Sequence, residues 1–477
     1  LLVRRSLWDD AGGFDERFSP AYYEDVDLCF SARELGFTVV VQPSSIVVHA
    51  EGSSHGTDGS GTKRYQFRKK ERFRQKWEML LLFHSAPVDQ RDGSAFLRLR
   101  ERRTERHAIV IDHRMPMPDH DAGSLRIVRL MEGLVERGYA VHFFPENRAR
   151  PEPWARNLEL LGVEVVTGED AVRHIAAIGS MADFVLLSRP DTFAQLLSTV
   201  LEFFPTVPLV FDMVDAHAVR LRRSAVLVGR PDLAVEADRY ERLEARAARI
   251  SDVVITVSKE ETEFIATVAQ VPLRTVCIPT IHYAESHGPE FDNRRGLLFV
   301  GGFEHPPNVD AAQYLVHELL LLIRARIGDV ELTLAGSKPP PALTQLRVEG
   351  VTVTGWVPDL RPLYDRARVS VAPMRFGAGV KGKIGEALSF GVPTVTTTLG
   401  IEGMHVLPGR DILVGDTAEL FADCVADAYL SRPTWDGLRV CGAQAIEHQF
   451  GRTATDRRID ELLEAVAAAD SRTDRRR

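Results

Sequence analysis

Between Arg375 and Met404 the chain reads RFGAGVKGKIGEALSFGVPTVTTTLGIEGM. Gly377, Gly379 and Gly382 alternate with Lys381 and Lys383 ahead of an apolar helical pattern that carries Glu386 in its first turns. Glycines let the backbone come close to a ligand, and a helix N-terminus offers free N–H groups and a positive dipole end to an anion. The two lysines add full positive charge at the same place. Glu386 follows Lys383 by one helical turn and shares its face. A phosphate would repel that carboxylate, so its natural partner is a pair of neutral hydroxyls, which its two oxygens can accept from. Phosphate and vicinal diol together read as a nucleotide.

Other stretches carry chemistry-bearing residues in loops. Gly301-Gly302-Phe303-Glu304-His305-Pro306-Pro307-Asn308 follows an apolar run and allows a second close backbone approach to phosphate. DHRMPMPDHDAGSLR, from Asp112 to Arg126, ends with Gly123-Ser124 opening a helix. Asp212-Met213-Val214-Asp215-Ala216-His217 precedes Arg220, Arg222 and Arg223. There Asp215 could cap a helix with His217 a polar surface residue on it, and the arginines could bind an anion or form a solvated basic turn. Near the start, Glu24, Asp25 and Asp27 lie at the mouth of a helix, where acids serve as caps or as chemistry. Thr38 to Val41 is a β-branched run, and Ile46-Val47-Val48 leads to His49.

These loops need a framework. From His107 onward, apolar β-branched runs alternate with helical patterns: 108–111, 140–144, 163–166, 183–187, 207–211, 253–257 and 274–278, then 296–300, 331–335, 351–354, 369–372 and 394–398. Strands alternating with helices mean parallel sheets covered on both faces, with ligands at the carboxyl ends of the strands. Residues 279–294 lack periodicity and read as a hinge between two such domains. Glu236 to Arg249 reads as a charge-rich, solvent-facing helix, and Thr453 to Ala468 as an amphipathic one with Ile459, Leu462, Leu463 and Val466 on one face.

Glu-Ala-Leu-Ser-Phe-Gly-Val-Pro-Thr-Val at 386–395 and Gly-Trp-Val-Pro-Asp at 355–359 resemble the retaining glycosyltransferases of family 4, the group 1 enzymes with two Rossmann-like domains, over about 107–468. The resemblance implies the GT-B architecture. It gives Glu386 the donor ribose and Lys381 and Lys383 the diphosphate, with Gly301, Gly302 and Glu402 in the nucleotide-sugar set. Gly123 would lie beside the donor phosphates or the acceptor, and His217 would contact the transferred sugar. The chain departs from that family twice. The acid often found eight positions before Glu386 is Ala378, and the loop 302–308 lacks the usual Arg and Lys, leaving charge neutralisation to Lys381 and Lys383. A terminal helix often crosses back onto the first domain in such enzymes.

The series Gly-Phe-Asp-Glu, Glu-Asp-Val-Asp-Leu-Cys, Val-Val-His within about 1–85 resembles the C-terminal portion of the inverting family 2 enzymes of GT-A fold. By that resemblance Asp25 is the general base near an acceptor hydroxyl and His49 a ligand of a divalent metal, Mg or Mn. The nucleotide-binding half of that family and its Asp-x-Asp motif have no counterpart, so the stretch reads as an α/β remnant.

The expected organisation is a truncated family 2 part at 1–88, a charged linker at 89–106, Rossmann-like domains at 107–280 (acceptor side) and 295–450 (nucleotide-sugar side), a crossover helix at 451–469 and a disordered tail at 470–477. The basic, aromatic helix of residues 62–84 either meets a membrane surface or partner, or closes the first domain; the second reading is the simpler. A net charge of −8 argues against a general nucleic-acid binder. Four scattered cysteines without metal spacing fit a reducing, cytoplasmic compartment, including the inner face of a membrane. Residue 1 is Leu, and the chain reads as a fragment of a bifunctional protein. The expected activity is transfer, with retention, from a nucleotide sugar to a glycan or lipid-linked acceptor in cell-surface polysaccharide synthesis, with no cofactor for the GT-B unit. A nucleotide-sugar epimerase of similar fold and an inactive sugar-nucleotide binding module are the alternatives.

Overall fold

The structure is a computed structural model that describes residues 1–41, 45, 47–48, 63–84, 106–168, 171–282, 288–377 and 380–469. His49, Ala378, Gly379, most of the expected linker and the expected tail lie outside the described residues. Contacts divide the chain into two units, Leu1–Asp92 and Gly93–Arg477.

The first unit contains α1 (Arg5–Ala11), α2 (Glu24–Glu34) and α3 (Lys63–Lys76). Phe18, Phe73 and Trp77 form its buried aromatic cluster, so the basic helix closes this unit through its apolar face. Asp27 accepts from Trp77 Nε1 at 2.7 Å and from Lys76 Nζ at 2.8 Å. The β-branched run at 38–41 forms no strand, and Val40 and Val41 are 78% and 89% exposed. Such a run becomes a strand only against a partner ladder, and none exists among the described residues of this unit.

The second unit holds two wholly parallel sheets. Strands β1 (Arg106–Asp112), β2 (Tyr139–Pro145), β3 (Val163–Val165), β4 (Ala182–Ser188), β5 (Leu209–Asp212), β6 (Val253–Thr256) and β7 (Thr275–Cys277) stand in the order β3-β2-β1-β4-β5-β6-β7. Strands β8 (Leu297–Val300), β9 (Leu332–Ala335), β10 (Val351–Gly355), β11 (Val369–Ala372), β12 (Thr394–Thr396) and β13 (Leu413–Val414) stand in the order β10-β9-β8-β11-β12-β13. Central strands such as β5, LVFD, and β11, VSVA, are buried along their whole length, as the strands of a sheet covered on both faces are. In each sheet the order reverses once, between β1 and β4 and between β8 and β11, and a doubly wound sheet opens its ligand crevice at that reversal.

Helices that matter for the site are α4 (Ala122–Glu136), α5 (Ala171–Ile178), α6 (His217–Val228), α7 (Pro231–Ile250), α8 (Gly382–Ser389) and α9 (Arg452–Ala467). α9 returns to the first sheet domain, where Ile459, Leu462 and Val466 join its core and Arg137 donates to Asp460 at 2.6 Å. Gly133 on α4 makes room for it, because a Cβ there would meet Ile459 Cδ1 at 2.3 Å. Among the described residues no helix is long and apolar enough to cross a membrane.

Candidate functional site

The loops at the two reversal points face each other. α4 opens after β1 with Asp121 as its cap, accepting from the Ser124 N–H at 2.7 Å and the Ser124 hydroxyl at 2.8 Å. α8 opens after β11 with Lys381 at its cap position. The two helix N-termini touch: a Cβ on Gly382 would stand 2.8 Å from the Ala122 Cβ. Glycine at 382 is therefore what allows this approach. Two positive dipole ends and the free N–H groups of two first turns converge on one crevice, an arrangement suited to an anion.

Lys381 and Lys383 stand at this point, both largely buried. Burial pulls the Lys383 ammonium down to about 7, with the neighbouring Lys381 charge adding to it. Lys383 donates to Asn308 Oδ1 and contacts Met374 Sδ at 3.4 Å. Burial also lowers Lys381, to about 8, against the opposing pull of Glu402, whose carboxylate lies 3.9 Å away. Glu386 points into the same domain and accepts from the Tyr364 hydroxyl at 3.0 Å. Burial raises its carboxyl to about 7, and the Tyr364 hydrogen bond only partly offsets this. Buried charged side chains with such displaced affinities for the proton concentrate at functional sites, which makes this cluster a candidate.

The glycine loop after β8 supplies backbone. Asn308 Nδ2 bonds the Gly302 carbonyl at 2.7 Å, so Asn308 both fixes this loop and holds Lys383. A Cβ on Gly301 would meet Asn308 at 2.9 Å, whereas one on Gly302 would point toward the first domain, 3.6 Å from the His120 carbonyl oxygen. On the first-domain side, a Cβ on Gly123 would lie 3.3 Å from Val214 and 3.5 Å from Arg189. Asp112, at the end of β1, binds Arg189 at 2.9 Å, and Asp212, at the end of β5, binds the fully buried Arg126 at 2.8 Å.

His217 begins α6. Its ring stacks on Tyr240 with centroids 5.1 Å apart, and Nδ1 lies 3.0 Å from the Asp215 carbonyl. Burial lowers its proton affinity, against the pull of Asp215. Asp215 does not cap the helix. Glu244 of α7 accepts the His217 N–H at 2.7 Å and Glu261 the Ala216 N–H at 3.2 Å, while Asp215 binds Arg220 at 2.6 Å. Glu244 and Glu261 are raised to about 8 and about 7 by burial first and by the Asp215 charge next.

The arginines after His217 are not a solvated turn. Arg222 pairs with Asp238 and Glu241, and Arg223 makes a two-pronged bond to Glu402 at 2.6 and 2.7 Å. Arg223 also donates to the Gly377 carbonyl at 3.0 Å. Glu402 thus joins the two sheet domains. Gly302, Lys381, Lys383 and Glu402 stand where the two sheet domains meet, with Gly123 and His217 on the first-domain side, while Gly301 packs on Asn308 and Glu386 on Tyr364 within the second domain. Asp25 belongs to the first unit, exposed in the first turn of α2, with its carboxylate accepting the Val26 N–H at 2.8 Å.

Sequence reading missed Asn308, Tyr364, Glu244 and Glu261 as site residues. α7 is not simply a solvent face: Ala237, Glu244, Ala245, Ala247 and Ala248 are buried. The small residues flanking Glu244 were the available signal, since they mark a stripe that packs closely.

Two facing parallel-sheet α/β domains with a crevice between their carboxyl ends define the GT-B architecture. Residues 294–430, which make up most of the second sheet domain, match the family described as Glycosyl transferases group 1. The fold agrees with sucrose-phosphate synthase from Thermosynechococcus elongatus, at a TM-score of 0.58 and 15% identity over 76% of this chain and 100% of that one. It also agrees with Anabaena HepE in complex with UDP-glucose, at 0.57 and 13% over 75% and 99%. A 58-residue stretch is 47% identical to the N-acetylglucosaminyl-diphospho-decaprenol L-rhamnosyltransferase of Mycobacterium tuberculosis, covering 12% of this chain. The matches to curated relatives span 9% to 19% of those relatives' lengths.

Proposed function

We propose that the second unit transfers a sugar, with retention, from a nucleotide-sugar donor to an acceptor hydroxyl on a glycan or lipid-linked glycan. The observation that carries this reading is Lys383: a buried ammonium at a helix N-terminus, held by Asn308 and Met374 and, among the described residues, facing no carboxylate of its own. The match of this domain to group 1 glycosyl transferases and the UDP-glucose bound by HepE in a similar fold support a nucleotide-sugar ligand.

In this reading the donor diphosphate lies at the N-terminus of α8, against Lys381 and Lys383. Negative charge builds on the leaving diphosphate oxygen as the glycosidic bond breaks, and groups fixed there beforehand stabilise it without reorganising. Glu386 turns from Tyr364 to accept from the ribose hydroxyls. The transferred sugar faces His217, which Glu244, Glu261 and Tyr240 hold at the head of α6. Closing the crevice between Gly302 and His120 and between Gly382 and Ala122 keeps water from the activated sugar. In this reading the transfer itself draws on no metal.

We further assign the first unit to a family 2 remnant, with Asp25 as its base and His49 toward a divalent metal, and the intact protein to bifunctional synthesis of a cell-surface polysaccharide at the inner face of the membrane. The test is a screen of nucleotide sugars for turnover, with and without acceptor glycans, by wild type, Glu386→Ala and Lys381→Ala. One donor consumed by the wild type and by neither variant supports transfer; dependence on acceptor separates it from epimerisation. Binding without turnover identifies a sugar-nucleotide binding module and overturns the enzymatic reading.

A further inference from the structure

Away from the crevice, on the face of the first sheet covered by α5, four polar side chains cluster, His107 and His142 buried and Glu164 and His174 partly exposed. His142 on β2 and Glu164 on β3 are directly opposite each other in register, and Ile109 of β1 flanks His142 on its other side. His174 reaches them from α5 and His107 from the start of β1. His142 is buried, with Nδ1 2.6 Å from Glu164 Oε2 and Nε2 3.1 Å from His107 Nδ1. His174 Nε2 lies 3.3 Å from the same Glu164 oxygen, yet this buried nitrogen makes no hydrogen bond. One ligand atom from each of His142, Glu164 and His174 lies within 4.8 Å of the others.

We propose that His142 Nδ1, the Glu164 carboxylate and His174 Nε2 bind a divalent transition-metal ion of the zinc class. Two imidazoles and one carboxylate are a donor set that zinc takes, with a fourth position left to water. Around a tetrahedral ion with bonds of about 2.0–2.1 Å the ligand atoms stand about 3.3 Å apart. His174 already meets that spacing from Glu164, and His142 reaches it by moving less than an ångström. Binding displaces the proton shared by His142 Nδ1 and Glu164. His142 then carries its proton on Nε2 and donates it to His107 Nδ1, which fixes the ring as an outer hydrogen bond fixes a metal-bound imidazole. The ion would tie the edge strand β3 and α5 to the centre of the sheet, so its role is to hold the fold. The ligands come from β2, β3 and α5, and the site is separate from the nucleotide crevice.

The test uses the full, untagged chain stripped with a chelator and titrated with Zn²⁺, then with Co²⁺. The proposal expects one tight zinc per wild-type chain, a rise in Tm on loading, and visible cobalt absorption of a four- or five-coordinate nitrogen and oxygen site. His174→Gln, a change on a part-exposed helix position, should weaken zinc binding by at least about tenfold and remove the Tm rise, as should Glu164→Gln. Equal zinc stoichiometry and affinity in wild type and His174→Gln, or a wild-type Tm that zinc does not move, overturns the proposal and leaves the cluster as a hydrogen-bonded chain.

Discussion

The carboxyl ends of the two sheets treat buried charge in opposite ways. At the strand ends of the first sheet charges are paired, Arg126 with Asp212, Arg189 with Asp112 and Arg220 with Asp215, and the carboxyls of Glu244 and Glu261 behind His217 are the exception. In the second, Lys383 rests on an amide oxygen and a thioether, and Glu386 on a phenol. Burying a charge without an opposite charge is costly, and folding alone gives no reason to retain it. The first arrangement sets cation against anion within the fold itself. The second is the one that the proposed donor would complete, with negative charge for Lys383 and hydroxyls for Glu386.

That contrast can be broken at its structural end first. Arg126→Ala leaves Asp212 buried without its cation at the end of β5, and also removes the bond from Arg126 Nε to the Ile278 carbonyl at 2.7 Å. Losing one partner of a buried pair costs about 3–5 kcal/mol, read as a lower denaturant midpoint of the second unit. An unchanged midpoint would mean that this pair is not the settled structure described.

A smaller effect sharpens the comparison at its one exception, the carboxylates behind His217. Glu244 goes from 4.5 to about 8 on folding because it is buried. The folded state therefore holds its proton more tightly than the unfolded chain. The stability linked to that proton is complete below pH 4.5 and is lost as pH rises through about 8. Glu244→Gln keeps an oxygen for the His217 N–H and cannot ionise. The variant should gain about 1–2 kcal/mol over wild type at pH 9 and little at pH 5, measured by denaturation at both. A gain at pH 5 instead would reverse the assignment.

Much of this layout is legible in the chain itself. Parallel strands show as short, mostly apolar or β-branched runs, and every strand from β1 to β12 overlaps one. The two-residue β13 is too short to carry a pattern. Lys381, Lys383 and Glu386 were visible because glycine spacing, charge and helix onset coincide within one short stretch. Glu244 was not, because a buried acid among exposed ones differs only in what packs over it. The Arg126 and Arg223 pairings were hidden for another reason: Asp212 and Glu402 lie 86 and 179 residues further along, and no local rule reaches that far. The β-branched run at 38–41 forms no strand, because propensity alone supplies no partner ladder.

The central claim is that Lys383 is buried for a donor diphosphate and not for the fold. Its direct test is a binding titration of nucleotide sugars to wild type and Lys383→Met, paired with the Tm of each free protein. Methionine keeps the length and the apolar contacts and removes only the charge. The account predicts affinity at least about tenfold weaker in the variant, since a charge-assisted bond to phosphate is lost, together with a Tm equal to or above wild type. Unchanged affinity, or a variant that binds normally but unfolds far earlier, would show that Lys383 serves the structure and would contradict the account.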